Sequence, residues 1–254
     1  MGGPSPATIK AAAQVFVADL SNCEPEAEDA GHLSKVLRLR RGEVVVASDG
    51  AGNWRRCTYT GRSPWLEPAA EPVSVDRIRP CVDVAFVPVK GDRPEWVVQK
   101  LTEIGVDRIV VARSTRSVVV WEDGRAEHSM RRLAKIARQA AAQSRRAWIP
   151  AVEGVADLAS LAAANDLVLA QPLSAPTSVG SLLGSLVCVG PEGGWTAEEL
   201  EMAGTQVDLG DAVLRAETAA VVVGAIACAL RDQRVVPWSG DGPVHGSGSL
   251  HPPR

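Results

Sequence analysis

The stretch Val189-Gly190-Pro191-Glu192-Gly193-Gly194-Trp195-Thr196 decides how this chain is read. Immediately before it, Ser185-Leu-Val-Cys-Val189 is short, apolar and β-branched, the pattern of a buried strand. That strand empties into three glycines, which permit backbone conformations and close approaches that a Cβ would block. Thr196-Ala-Glu-Glu199 then has the capping-box pattern, so a helix is expected directly after the glycines. Strand, glycine loop and helix start, in that order, form a ligand-binding edge of an α/β sheet. The spacing fits neither common nucleotide loop, because the chain has no G-x-x-x-x-G-K-[ST] and no G-x-G-x-x-G after a strand.

A second stretch repeats the arrangement. Gln206-Val-Asp-Leu-Gly210 reads as another short strand and Asp211-Ala-Val-Leu-Arg215 as a loop. From Ala216 to about Ala229 a helix of small and β-branched residues follows. That helix is apolar nearly all round, so it is expected either to be fully buried or to pack on a second subunit. Upstream, Val82–Val89, Asp107–Ala112 and Asp166–Ala170 read as strands, with helices at Arg93–Ile104, Met130–Arg146 and Val155–Ala164. Gly105 is placed to stop the first of these helices. Alternating strands and helices from residue 81 to 232 predict a mostly parallel α/β sheet.

The motifs G-P-E-G-G-W-T-x-x-E from Gly190 and L-G-x-x-V-L-R-x-E-T-A from Leu209 together resemble the SPOUT class of RNA methyltransferases. Within that class they are similar to the RsmE type, which methylates N3 of a uridine in 16S ribosomal RNA of the small ribosomal subunit. The resemblance covers about residues 14 to 232 and implies a trefoil-knot fold, S-adenosylmethionine as cofactor and a homodimer with sites at the interface. It also implies a small N-terminal PUA-like β-barrel. Four prolines between Pro64 and Pro80 put the boundary near residues 70–80. The expected organisation is therefore 1–75 for the RNA-binding domain, 76–235 for the methyltransferase domain and a disordered tail at 236–254.

In this class three loops hold a bent cofactor mainly by backbone groups. The residues so implied are Pro172, Gly190, Glu192, Gly193, Gly194, Leu209, Gly210, Val213, Leu214 and Thr218. Uracil N3 carries a proton, so methyl transfer needs a base or cationic groups that stabilise the developing anion. Arg215 and Arg146 are the electrostatic candidates, and Glu217 or Glu103 the candidate bases. Structural alternatives stand beside these roles: Glu192 as a helix-dipole partner and Glu217 as an ion pair with Arg215. Lys100 and Glu103 lie in K-G-D-x-x-E-W-V-V-Q-K-L-T-E-I-G-V, which resembles the family's first helix.

A net charge of −3 over 254 residues argues against wholesale coating of nucleic acid, but leaves room for local basic patches. From Gly31 to Arg62 there are seven Lys/Arg against two acids. Either this is a solvated basic face or its cations contact phosphate. The similarity of H-L-x-K-V-L-R-L-R-x-G to the family's RNA-binding domain favours phosphate contacts by Lys35, Arg38 and Arg40, with His32 beside them. On the Met130–Arg146 helix, Arg131, Lys135, Arg138 and Arg145 share one face, and three of them (Arg131, Arg138 and Arg145) are RNA-binding candidates.

Three positions depart from the family: Gln14 stands where an arginine is usual, Arg145 where glycine is frequent, and Gln171 where an acid is frequent. The segments 1–13 and 24–29 read as a frayed end and an acidic surface loop. The five cysteines form no C-x-x-C pair and no histidine lies near them, so no metal site is expected. Cys188 and Cys228 read as buried small hydrophobes. With no secretory segment and no membrane span in the sequence, a cytoplasmic protein is expected. Two rival readings are a knotted ribose or tRNA methyltransferase and a non-enzymatic RNA-binding assembly factor.

Overall fold

The computed structural model describes residues 3–119, 121, 123–172 and 179–235. Its larger sheet has six strands: β6 (Asp83–Phe86), β7 (Arg108–Arg113), β8 (Ala151–Asp157), β9 (Leu167–Ala170), β10 (Leu186–Val189) and β11 (Thr205–Val207). Their order is β11-β9-β10-β6-β7-β8, and every pairing is parallel. Parallel neighbours need crossovers, and the helices that provide them cover both faces. Helices α2 (Arg93–Ile104), α3 (Asp123–Gln143) and α6 (Ala216–Arg231) lie on one face; α4 (Leu158–Ala164) and α5 (Ala197–Ala203) lie on the other.

Strand alternation sorts the residues between these faces. Val84, Phe86, Ile109, Val111, Val187 and Val189 join the core under α2, α3 and α6. Ala85, Val110, Ala112, Leu186 and Cys188 join the core under α4 and α5. Cys188 and Cys228 are buried free thiols, as expected. Helix α6 packs against α2 so closely that a Cβ on Gly224 would lie 2.6 Å from Leu101 Cδ2. Gly105, at φ +116, ends α2 in the left-handed conformation that the sequence called for.

The N-terminal part holds a five-stranded mixed sheet of β1 (Ala13–Phe16), β2 (Val44–Ser48), β3 (Asn53–Tyr59), β4 (Leu66–Pro68) and β5 (Val73–Ser74). Its β1–β2 pair is parallel and the others antiparallel. A short helix, α1 (Ala27–Gly31), runs into a wide turn at His32–Val36. Leu33, Val45, Cys57, Tyr59 and Leu66 fill the core of this unit.

Several expectations need correction. Residues 3–13 are not frayed: Gly3 N–H donates to Ser74 O at 2.7 Å, and Trp54 Nε1 donates to Pro4 O at 3.1 Å. The helix expected over Val155–Ala164 starts only at Leu158, because Val155–Asp157 extend β8 alongside β7. The basic helix spans Asp123–Gln143 rather than Met130–Arg146. The strand expected over Gln206–Gly210 ends at Val207. The proposed tail, 236–254, lies outside the described residues.

The acidic segment 24–29 is not a free loop. Glu28 pairs with Lys135 at 2.8 Å, and Asp29 with Arg138 at 2.8 Å, joining the N-terminal unit to α3. Gln14 is buried in the same seam and donates from Nε2 to Arg146 O at 2.7 Å. Trp148 adds to it: its Nε1 donates to Val75 O, and its ring packs where a Cβ on Gly52 would clash.

Candidate functional site

The carboxyl ends of β9, β10 and β11 lie side by side, and the loops that follow them enclose a cavity of about 320 Å³. Ala170, Gln171 and Pro172 come from the first loop, Gly190–Glu192 with Gly194 and Trp195 from the second, and Asp208–Gly210 with Ala212–Arg215 from the third. A site at the strand ends is where a parallel sheet places a ligand, because the loops there are free to vary without disturbing the core.

The second loop is shaped by Trp195. The indole is buried and donates from Nε1 to Ala170 O at 2.9 Å, tying the loop to the end of β9. Gly190 packs on the ring, and a Cβ there would lie 2.8 Å from Trp195 Cε2. Gly194, at φ +67, then turns the chain with its N–H donating to Pro191 O at 2.9 Å. In the third loop Gly210 occupies φ +121.

The capping box at α5 forms as expected. Thr196 Oγ1 accepts from Glu199 N–H, and Glu199 Oε2 accepts from Thr196 N–H at 2.8 Å. Glu199 does more than cap, for its Oε1 accepts Thr115 N–H at 2.8 Å from the loop after β7. Burial alone would raise this carboxyl, but the N–H groups of Thr196 and Thr115 outweigh it and hold it below its usual range.

Eight of the ten expected cofactor residues line the cavity: Pro172, Gly190, Glu192, Gly194, Leu209, Gly210, Val213 and Leu214. Gly193 faces away, its carbonyl accepting from Arg116 Nη1 at 2.9 Å. Thr218 is exposed on α6 and is not part of the wall. Arg215 lines the cavity as the N-cap of α6. Glu217, in the first turn of α6, does not pair with Arg215; its partner is Arg93 at 3.5 Å. The same guanidinium reaches Glu192 at 3.6 Å. Nothing local in the sequence marks Arg93, because its partners lie far along the chain. Arg116 belongs to the polar loop 113–117, which resembles a family segment, and its partner is equally remote.

Arg146 is placed elsewhere. It is largely buried and donates to the carbonyls of Thr102 and Val106, each at 2.8 Å, where α2 ends. Burial pushes its guanidinium down to about 10 against the pull of nearby Asp107, leaving it charged at neutral pH. Arg145 adopts φ +57, the left-handed conformation natural to glycine, and its side chain donates to Ala11 O. Lys100 and Glu103 pair with each other at 2.8 Å, away from the cavity.

The RNA candidates divide into two groups. Lys35, Arg38 and Arg40 are exposed and, among the described residues, form no ion pair; His32 is half-buried at the start of the wide turn. Lys35 and His32 line a groove of about 990 Å³ between the N-terminal unit and α2 and α3. On α3 the cations are engaged: Arg138 by Asp29 and by Phe16 O, Lys135 by Glu28, and Arg131 by Glu127 at 3.4 Å.

Residues 78–228 match the RNA methyltransferase domain family, and residues 25–64 match the RNA methyltransferase PUA domain family. The chain is 34% identical over 223 residues to ribosomal RNA small subunit methyltransferase E of Mycobacterium tuberculosis, covering 79% of this chain and 84% of that one. The chain belongs to the ribosomal RNA small subunit methyltransferase E family. The Bacillus subtilis member is 31% identical over 221 residues, covering 76% of this chain and 84% of that protein. The fold agrees with a Legionella pneumophila methyltransferase solved with its bound cofactor, at TM-score 0.73 and 22% identity over 87% of this chain and 98% of that one. It agrees also with the family member from Neisseria gonorrhoeae bound to S-adenosylmethionine, at TM-score 0.69 and 24% identity over 85% and 96% of the two chains. The sheets described above are thus a PUA-like unit and a SPOUT methyltransferase domain.

Proposed function

We propose that this chain methylates N3 of a uridine in 16S ribosomal RNA, with the cofactor in the cavity at the ends of β9, β10 and β11. Membership in the family makes it an RNA methyltransferase that uses S-adenosylmethionine on a uridine of that RNA. The observation that carries the site is the convergence of both glycine motifs on one cavity. The residues fit the cofactor. Leu209, Val213 and Leu214 offer apolar walls for an adenine, the glycines expose backbone donors and acceptors, and Glu192 offers a carboxylate to a cationic group. When bound, the cofactor supplies an electrophilic methyl group.

The chain's own part is to take the N3 proton and steady the uracil anion that results. Arg215 lines the cavity and is the cation for that anion. Glu217 is the favoured base on position: it follows Arg215 by two residues behind the cavity wall, Arg93 pairs with its Oε1, and its Oε2 has no hydrogen-bond partner among the described residues. Glu103, paired with Lys100 near the end of α2, and Arg146, held by the carbonyls there, lie away from the cavity and are less suited to the reaction.

Exposed Lys35, Arg38 and Arg40, with His32, are the proposed RNA contacts of the PUA-like unit. Helix α6 buries Ala220, Val223 and Ala227 but leaves Ala225 and Ile226 exposed, Ile226 at 39%. That apolar stripe supports a homodimer, and a monomer by light scattering at micromolar concentration would reject it. No described helix is long and apolar enough to cross a membrane, in keeping with action on ribosomal RNA in the cytoplasm.

Small ribosomal subunits from a strain lacking this activity, incubated with the protein and labelled S-adenosylmethionine, should yield labelled 3-methyluridine by nucleoside mass spectrometry. Label on a ribose or another base would refute the N3 assignment. A non-enzymatic assembly factor would transfer no label.

A further inference from the structure

We infer that Arg93 is a positioning residue that clasps the mouth of the cofactor cavity by holding the second and third loops to one helix end. The inference rests on the assignment of the cofactor to that cavity.

Arg93 opens α2, whose Val97, Val98 and Leu101 are fully packed in the core and whose far end is held by Arg146. The guanidinium therefore projects from a rigid base. From there it reaches Glu192, which lines the cavity from the glycine loop, at 3.6 Å. It also reaches Glu217, in the first turn of the helix that continues the third loop, at 3.5 Å. One cation thus links two loop systems that share no strand pairing, since β10 and β11 are separated by β9.

The second loop needs such a fastening. Its glycines contribute no side chains to pack, so its shape depends on what grips it from outside. Trp195 grips one end, and Arg116 holds the Gly193 carbonyl. Glu192 is the loop's carboxylate, and Arg93 is its ion-pair partner. Glu217 adds a reason for the cation to sit here: a side chain only 13% exposed is costly to keep charged without an opposite charge nearby. Neither Arg93 nor Arg116 lines the cavity, so Arg93 acts through the groups it holds.

The test is calorimetric titration of S-adenosylmethionine into the purified full chain and its variants, with melting temperature and RNA affinity measured alongside. Arg93→Gln should weaken cofactor binding about fivefold to tenfold while RNA affinity stays within twofold, the scale of two partly exposed ion pairs. Arg93→Lys should recover most of the loss. In a chain already carrying Glu192→Gln, the Arg93→Gln change should lose most of its effect, because the two residues act as one clasp.

Wild-type cofactor affinity in Arg93→Gln would overturn the inference, as would effects of the two changes that simply multiply. A fall in melting temperature with unchanged cofactor affinity would make Arg93 merely structural and overturn it equally. Leu214→Arg, which puts a bulky charge into the cavity wall, separates the underlying assignment from the clasp. If that variant binds the cofactor as tightly as wild type, the cavity assignment fails and the clasp falls with it. If it abolishes binding while Arg93→Gln does not matter, only the clasp is wrong.

Discussion

The cofactor edge and the interdomain seam are both rich in motif residues, yet the structure uses them in opposite ways. At the edge, the glycines of two separate motifs converge on one cavity. At the seam, cations of α3 are taken up by the protein's own groups, with Arg138 half-buried between Asp29 and Phe16 and Lys135 paired with Glu28 at the surface. A glycine's contribution is local: it grants the backbone a conformation or a close approach whatever lies elsewhere. A cation's contribution depends on which charge the fold brings to it, and Arg138 and Asp29 are 109 residues apart. Backbone-built sites are therefore legible in sequence, while charge-built ones are legible only as to sign.

The sharpest challenge to this contrast is at Arg215, the arginine of the edge. Arg215→Ala should cut single-turnover methylation roughly 100- to 1000-fold, the cost of losing one preorganised group at a developing anion, with cofactor binding largely kept. Equal loss of turnover and cofactor affinity would make Arg215 a structural residue of the third loop. A smaller effect is expected for Gly190→Ala. Its new Cβ would meet the Trp195 ring at 2.8 Å, so the loop must shift. Overpacking of about 1–3 kcal/mol, if it falls on the bound loop, corresponds to roughly fivefold to 150-fold in cofactor affinity by calorimetry. Unchanged affinity would show that the loop's backbone does not shape the site.

The mildest effect separates the two groups of RNA candidates. Lys35→Ala should lower RNA affinity and reduce the salt slope by about 1, as for one lost phosphate contact. Arg138→Ala should leave that slope unchanged and instead cost about 1 kcal/mol in denaturant unfolding, since its partners are internal. A reduced slope for Arg138→Ala would return α3 to the RNA surface and undo the contrast.

The legibility of the chain follows the same division. The strand before Gly190, the capping box at Thr196, the stop at Gly105 and the parallel sheet all rest on residue types and spacings within a few positions. The two glycine motifs likewise point to seven of the residues that line the cavity, and the strand end before Pro172 to an eighth. Local pattern predicts α4 from Val155, but Val155–Asp157 have a neighbouring strand to pair with, and that pairing overrides local helix preference. Segment 3–13 looked frayed by composition, yet Ser74, Val44 and Trp54 supply its hydrogen bonds. At Arg145 a departure from glycine kept the left-handed turn and gained a bond to Ala11 O.

By itself the sequence determined the class of fold, the family and the residues whose backbones enclose the cavity, because each depends on short-range pattern. Only the tertiary structure decided that Arg93 joins Glu192 to Glu217, that Arg146 caps α2, and that α3 binds its own N-terminal unit. Those outcomes depend on which charges meet in space. Coulombic partners are chosen by the fold, and the one-dimensional order of residues does not contain the distances that select them.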